Sequence, residues 1–356
     1  MSAHPYAGRY PSARPRRLRG APWVRALTAE SRLAPADLIQ AVILREPDAP
    51  AGPVPAMPGV VRVTPEEAVG VARDAERLGL PALALFPHTG REARDEAGTQ
   101  ALSDDNLMCR AARAIKRAVP GIGLIADVAL DPYTDHGHDG LLRDGEVAND
   151  ETVAVLAKQA VVLARAGYDT LAPSDMMDGR VGAIRAALDE AGFEDRLILS
   201  YAVKYASAFY GPYRDAIGSR GVLQGDKRTY QMDPANADEG LREAALDVAE
   251  GADMLMVKPG LPYLDVLARV KAAFGMPTVA FQVSGEYAML ACAAEAGAFD
   301  RREAMLEALT CFKRAGADAV ISYYAAEAAE WIAAPPRRLA EAKRERERRD
   351  AGTTEG

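Results

Sequence analysis

The stretch AEGADMLMVKPG, residues 249–260, packs three signals into twelve residues. A glycine closes a helical pattern, an apolar run Met254, Leu255, Met256 and Val257 follows, and the run ends on Lys258 and a proline. Glycine just past a helix and a short continuous apolar run are the punctuation of a helix feeding a buried parallel strand. The same punctuation recurs in RAGY, EAGF and RAGAD. Outward from it, eight strand candidates appear: 38–44, 81–86, 123–130, 168–173, 196–203, 253–258, 277–283 and 318–324. Each is a near-continuous apolar run rather than a strict alternation, as strands covered by helices require. Between them lie helical patterns. In one, Thr64, Pro65 and Glu67 form a capping box and Gly79 a stop; another, 149–167, is apolar along one face and stops at Gly167. Eight β/α units in one chain predict a TIM (β/α)8 barrel.

The totals agree with that architecture. The chain has 356 residues, with 49% hydrophobic and 26% charged, and carries a net charge of −8. That balance describes a globular protein and argues against nucleic acid or an acidic membrane surface as partner. Apolar runs fall well short of the ~20 residues that span a bilayer, and the N-terminus lacks a signal-peptide core. Cys109, Cys292 and Cys311 are scattered without a CxxC pair, which gives neither a disulfide framework nor a thiolate zinc site. A cytoplasmic location is expected. Residues 1–35 read as an extended N-terminal arm, 36–334 as the barrel, and 335–356 as a charged, disordered tail; the proline-rich stretch 45–62 reads as a loop.

In a barrel of this kind the reactive groups collect where strands end. Asp127 falls near the end of the third strand, Ser174 just beyond the fourth, Lys204 near the end of the fifth and Lys258 at the end of the sixth. Ser284 follows the seventh and Tyr323 nears the end of the eighth. The two lysines, on adjacent strands, are the informative pair. A buried ammonium loses its proton more readily, and a second cation beside it adds to the effect. A neutral amine attacks ketones and aldehydes to form a Schiff base. A lysine satisfied by a rim carboxylate would account for either alone, but not for two. A polar connection, 205–236, follows Lys204; its length fits a lid that closes over substrate and excludes water.

SYAVKYASAFYGPYRDA and GADMLMVKPGLPYLD, with APSDMMDGRVGAIR, YQMDPAN, QVSGEYAM and SYYA, closely resemble the 5-aminolevulinate dehydratase (porphobilinogen synthase) family from about residue 15 to 332. The resemblance implies a TIM barrel with an arm used in assembly, usually into a homo-octamer. It also implies condensation of two 5-aminolevulinate molecules to porphobilinogen, with loss of two waters, in tetrapyrrole (heme) biosynthesis. Lys204 and Lys258 match the lysines that form Schiff bases with the A-side and P-side substrates. Ser284 and Tyr323 match residues gripping the P-side carboxylate, and Arg214, Lys227 and Gln231 match those receiving the A-side molecule. A single-Schiff-base aldolase or dehydratase is disfavoured by two lysines and two carboxylate-binding sets, and a non-catalytic barrel scaffold by the intact constellation.

Zinc-dependent members of the family carry three cysteines where this chain has Ala129, Asp131 and Asp139, so a catalytic zinc of that kind is not expected. His136 and His138 read as hydrogen-bonding loop residues. Asp131 and Asp139 have two readings: they hold magnesium or a monovalent ion, or they act without metal on the A-side amino group. The second is favoured, because a few carboxylates bind Mg2+ weakly without further ligands. Asp127 is expected beside the lysines, pairing with a protonated imine. Glu243 matches a glutamate that binds an allosteric magnesium at a subunit interface in relatives with aspartates at these positions.

Overall fold

A computed structural model describes residues 8–217, 223 and 225–334, with the backbone alone at 214 and 215. The expected C-terminal tail, 335–356, lies outside the described residues. The chain divides into two units, Met1–Arg32 and Leu33–Gly356. In the first, prolines at the first turns open a 3-10 helix, Pro15–Arg19, and an α-helix, Pro22–Leu27.

In the second unit eight parallel strands form one closed sheet. They are β1 Leu38–Leu44, β2 Ala82–Pro87, β3 Gly123–Val128, β4 Thr170–Pro173, β5 Leu197–Lys204, β6 Met254–Lys258, β7 Thr278–Phe281 and β8 Ala319–Ser322. Closure comes from Leu38 pairing with Val320 and Gln40 with Ser322. Each strand pairs with its sequence neighbour and is followed by at least one helix, so the chain is a TIM barrel. All seven residues of β1 and all four of β4 and β7 are buried, which is why their sequences show apolar runs instead of alternation.

Local chemistry fixes the helix ends. Thr64 Oγ1 accepts from the Glu67 amide and a Glu67 carboxylate oxygen accepts from the Thr64 amide, at 3.2 and 2.8 Å. Such a cap contributes about 1 kcal/mol. Gly79 then ends that helix at φ +79°, a conformation an L side chain resists. Several expected strands shorten, by up to three residues; β7 stops at Phe281 and β8 at Ser322. Beyond these ends the Gln282 amide still donates to the Ile321 carbonyl of β8 at 3.0 Å. The 45–62 loop is not wholly irregular: it leads into a two-residue strand, Arg62–Val63, beside β1.

Candidate active site

Lys204 and Lys258 close their strands as direct neighbours. β5 and β6 start in register with Leu199 opposite Met254 and Ser200 opposite Leu255, and finish with Val203 opposite Val257 and Lys204 opposite Lys258. Between these pairs β5 carries one extra residue, so Tyr201 and Ala202 together face Met256. The bulge changes which residues face outward. Ser200 turns to the outer helix Asp238–Ala249, where its hydroxyl donates to Asp247. Val203 also turns outward, so close to Gly240 of that helix that a β-carbon there would lie 2.9 Å from Val203 Cγ1. Two outward residues three apart leave Lys204 pointing in, beside Lys258.

Four rings surround the Lys258 ammonium: Phe281 at 4.7 Å, Tyr201 at 4.9 Å, Tyr210 at 5.4 Å and Tyr213 at 5.5 Å from Nζ to ring centre. Ring faces favour a cation by about 1 kcal/mol each at most exposed sites, but they replace water worth far more to an ammonium. Burial, then the neighbouring Lys204, pull the Lys258 pKa down to about 7, against the opposing pull of Asp127, Asp131 and Asp139. Withdrawal from water pushes Asp127 up to about 6 despite Lys258 and Lys204. An amine and a carboxyl that both titrate near neutrality therefore share one pocket, the condition for imine chemistry with a local proton carrier.

Lys204 is held differently. Its ammonium donates to the Ser174 carbonyl and lies 3.7 Å from Asp139 Oδ1. Lys227 sits between the two loop aspartates, 2.9 Å from Asp139 and 3.1 Å from Asp131. Burial alone would raise Asp139, but Lys204 and Lys227 outweigh it and hold its pKa at about 2. Burial would likewise lower Lys227, and the two aspartates reverse it, holding that ammonium above its usual range. The aspartates thus already face a cation supplied by the chain. His138 Nδ1 lies 3.1 Å from the Tyr230 hydroxyl, and the Asp139 amide donates to the same oxygen. Among the described residues no group of three or more His, Cys, Asp or Glu side chains is disposed to hold a metal ion.

The segment after Lys204 is tied to both lysines through the backbone. The Tyr205 amide donates to the Lys258 carbonyl and the Met232 amide to the Lys204 carbonyl, each at 3.0 Å. Between these anchors the segment is not structureless: Ala208–Tyr210 is a 3-10 turn and Gly211–Ala216 a helix. Tyr210, Tyr213, Leu223, Lys227 and Gln231 cover the lysines, leaving a cavity of about 40 Å³. That is room for water and not for a keto acid, so substrate entry requires the segment to move. Arg214 lies in the short helix, with its side chain outside the described residues.

The remaining expected residues are distributed unevenly. The buried Gln231 lines the cavity, and Ser174 supplies its carbonyl to Lys204. Ser284 is wholly buried at the start of the helix Ser284–Glu295, its hydroxyl donating to the Phe209 carbonyl at 3.4 Å. Tyr323 is buried with its ring centre 6.2 Å from that of Phe281 and lines a separate cavity with Gln40 and Tyr287. Glu243 is half-buried beside another cavity, of about 450 Å³, with Asp178, Thr229, Asp233 and Glu239.

Three groups escape a reading of the sequence. Of the aromatic box, Tyr210 and Tyr213 come from YASAFYGPY, while Tyr201 and Phe281 look like ordinary apolar residues of their strands. Arg94 bridges loops by donating to the carbonyls of Thr89, Asp131 and Ile217. Glu286, buried, accepts from the amides of Gly260, Leu261 and Val283 and pins the turn that follows Lys258. Its one sequence signal is its place three residues after Val283, where a capping side chain belongs.

Residues 12–331 match the family described as delta-aminolevulinic acid dehydratase. The chain is 58% identical over 317 residues to the delta-aminolevulinic acid dehydratase of Bradyrhizobium diazoefficiens, covering 89% of this chain and 90% of that relative. It is 50% identical over 325 residues to that of Rhodobacter capsulatus, covering 91% and 98%. Among solved structures it is similar to delta-aminolevulinic acid dehydratase (porphobilinogen synthase) from Toxoplasma gondii in complex with the reaction product porphobilinogen. That likeness has a TM-score of 0.87 and 50% identity over 90% of this chain and 91% of the other. The chain belongs to the delta-aminolevulinic acid dehydratase family.

Proposed function

We propose that this chain is a lyase that condenses two molecules of 5-aminolevulinate to porphobilinogen, losing two waters, with Lys258 and Lys204 each forming an imine to one substrate. The observation that carries the reading is the placement of Lys204 directly opposite Lys258 at the rim, with Lys258 depressed to about 7. A neighbouring lysine also serves a single-imine enzyme by lowering the pKa of the first; the second carboxylate-binding set, Lys227 and Gln231 at the same cavity, is what favours two imines.

In this reading the neutral Lys258 amine attacks the ketone carbon of the P-side substrate, and loss of water gives a protonated imine beside Asp127. The Asp127 carboxyl, titrating near 6, is suited to give and take protons in these steps. Lys204 forms the second imine with the A-side substrate. Asp131 and Asp139 face the amino group of that substrate, while Arg214, Lys227 and Gln231 meet its carboxylate. Opening of the covering segment frees the Lys227 ammonium to exchange partners. Ser284 and Tyr323 serve the P-side carboxylate; the Ser284 hydroxyl becomes available when its contact with the Phe209 carbonyl opens.

Magnesium is assigned to Glu243 rather than to the catalytic pocket. Burial, with Asp247, Asp178 and Glu239 nearby, raises the Glu243 pKa against the pull of Arg180, so a cation there relieves carboxylate repulsion. The carboxylates that line this cavity beside Met176, Met177 and Arg228 suit Mg2+, which binds through one or two carboxylates and keeps its waters. When bound it supplies charge neutralisation outside the reaction centre. Assembly into a homo-octamer is supported by the exposed Leu18, Trp23 and Leu27 of the N-terminal unit. No described helix is long and apolar enough to cross a membrane, and a cytoplasmic location is part of the reading.

The test is pyrrole formation from 5-aminolevulinate by chelator-treated protein, with magnesium or zinc added back, beside Lys258→Ala. Turnover that survives chelation, rises with magnesium and vanishes in the variant is expected. Full activity in Lys258→Ala would overturn the assignment.

A further inference from the structure

Behind the two lysines, on the outside of the barrel wall, lies a buried ion pair that touches the bulge. Arg180 opens the helix Arg180–Glu190 and Asp247 lies in the helix Asp238–Ala249, so the pair joins the helices on either side of β5. Arg180 Nη1 is 2.7 Å from Asp247 Oδ1 and Nη2 is 3.2 Å from Oδ2, a two-pronged contact. The same Nη2 donates to Ser200 Oγ at 3.3 Å and to the Tyr201 carbonyl at 3.4 Å, and the Ser200 hydroxyl donates to Asp247. Arg180 and Asp247 are 3% and 1% exposed, and Ser200 is fully buried.

These contacts fall on the point where the pairing of β5 with β6 shifts. A bulge leaves backbone groups off the ladder, and the Tyr201 carbonyl at the bulge takes the guanidinium as partner. A buried ion pair is poor value for stability alone, since apolar residues of like volume often serve as well. Without the extra residue, the starting register would continue and bring Val203 opposite Lys258. Lys204 would then turn outward, because a one-residue slip exchanges the faces of a strand. β6 has no such choice: it is held on its other side by regular pairing of Leu255, Met256 and Val257 with Thr278, Val279 and Ala280 of β7.

We infer that Arg180 and Asp247 are positioning residues for the condensation: by clamping Ser200 and the Tyr201 carbonyl they keep the bulge in β5 and so hold Lys204 inward beside Lys258. The inference rests on the two-imine reading above. It makes an asymmetric demand, because the clamp acts on Lys204 and leaves Lys258 where it is.

The test traps imines with borohydride in the presence of 5-aminolevulinate and maps the labelled peptides. The wild-type protein labels both lysines. In the double variant Arg180→Met, Asp247→Leu, which keeps the volume and removes the charges, Lys258 labelling, read at a pH above its midpoint in both proteins, stays within about twofold of wild type. Lys204 labelling and pyrrole formation fall at least about tenfold, as misplacement by an ångström or more in a reacting pair entails. An unchanged ratio of the two labels overturns the clamp, whatever happens to stability. If the double variant does not fold, Ser200→Ala, which leaves the ion pair in place, decides. A selective Lys204 loss of roughly threefold, the cost of one modest hydrogen bond, supports the clamp, and an unchanged ratio sinks it. Failure of the wild-type protein to label Lys204 at all would instead remove the two-imine reading, and the clamp with it.

Discussion

Lys204 and Lys258 are opposite partners on adjacent strands although the register in which β5 and β6 begin would set Val203 against Lys258. Their pairing is thus a property of backbone irregularity as much as of residue identity. It has an electrostatic result: the Lys204 charge is the second-largest influence lowering Lys258, after burial.

Replacing Lys204 with methionine removes that charge and keeps the volume. Lys258 should still form an imine, but the half-maximum of its borohydride labelling should move above the wild-type value near pH 7. An unchanged midpoint would mean that burial acts alone. The sign also governs stability. Between about 7 and the unfolded lysine value near 10.4, the unfolded chain binds a proton that the folded chain lacks. Lys258 therefore makes stability rise with pH across that window.

Asp139 has the opposite signature. Its folded pKa of about 2 lies below the unfolded value near 3.9, so its contribution is full above pH 4 and lost as pH falls through 2. Asp139→Asn should cost about 2 kcal/mol at neutral pH, and denaturant titrations of the two proteins should converge at low pH. A gap that stays constant with pH would assign the loss to packing.

Gly285 admits the covering segment. A β-carbon on it would lie 2.4 Å from the Phe209 carbonyl oxygen and 2.8 Å from its Cα, both backbone atoms. Gly285→Ala should displace the Ala208–Tyr210 turn, raising KM by about tenfold with little change in melting temperature, because the cost falls on closure and not on the barrel. A normal KM would show that closure does not need this contact.

Glu243→Gln should abolish the rise in activity on adding magnesium while some basal turnover persists. Calorimetric Mg2+ titration should lose its binding isotherm, and sedimentation should show a smaller share of large oligomer at a given magnesium concentration. Retention of both responses would move the cation site elsewhere.

The barrel was legible because its strands are buried on both faces, and sequence reports such burial as continuous apolar runs. The same uniformity hides the bulge. Seven of the eight residues in β5 are buried, so no alternation exists for an extra residue to disrupt. The lysines stood out as charges ending apolar runs. Arg180, although inside the DGRVGAIR motif, looks like an ordinary charge at a helix start, and only the third dimension sets it against Asp247 and Ser200. Lys227 was expected to meet substrate; that it bridges Asp131 and Asp139 depends on a chain reversal that local patterns do not encode.

That bridge changes what the pocket requires of its surroundings. An ion recruited from solution is present in proportion to its supply, and can be stripped by a chelator or displaced by a competitor. The Lys227 ammonium is attached to the chain, at fixed stoichiometry with the carboxylates it faces. While the covering segment is closed, charge balance beside Lys204 is therefore inherited with the polypeptide.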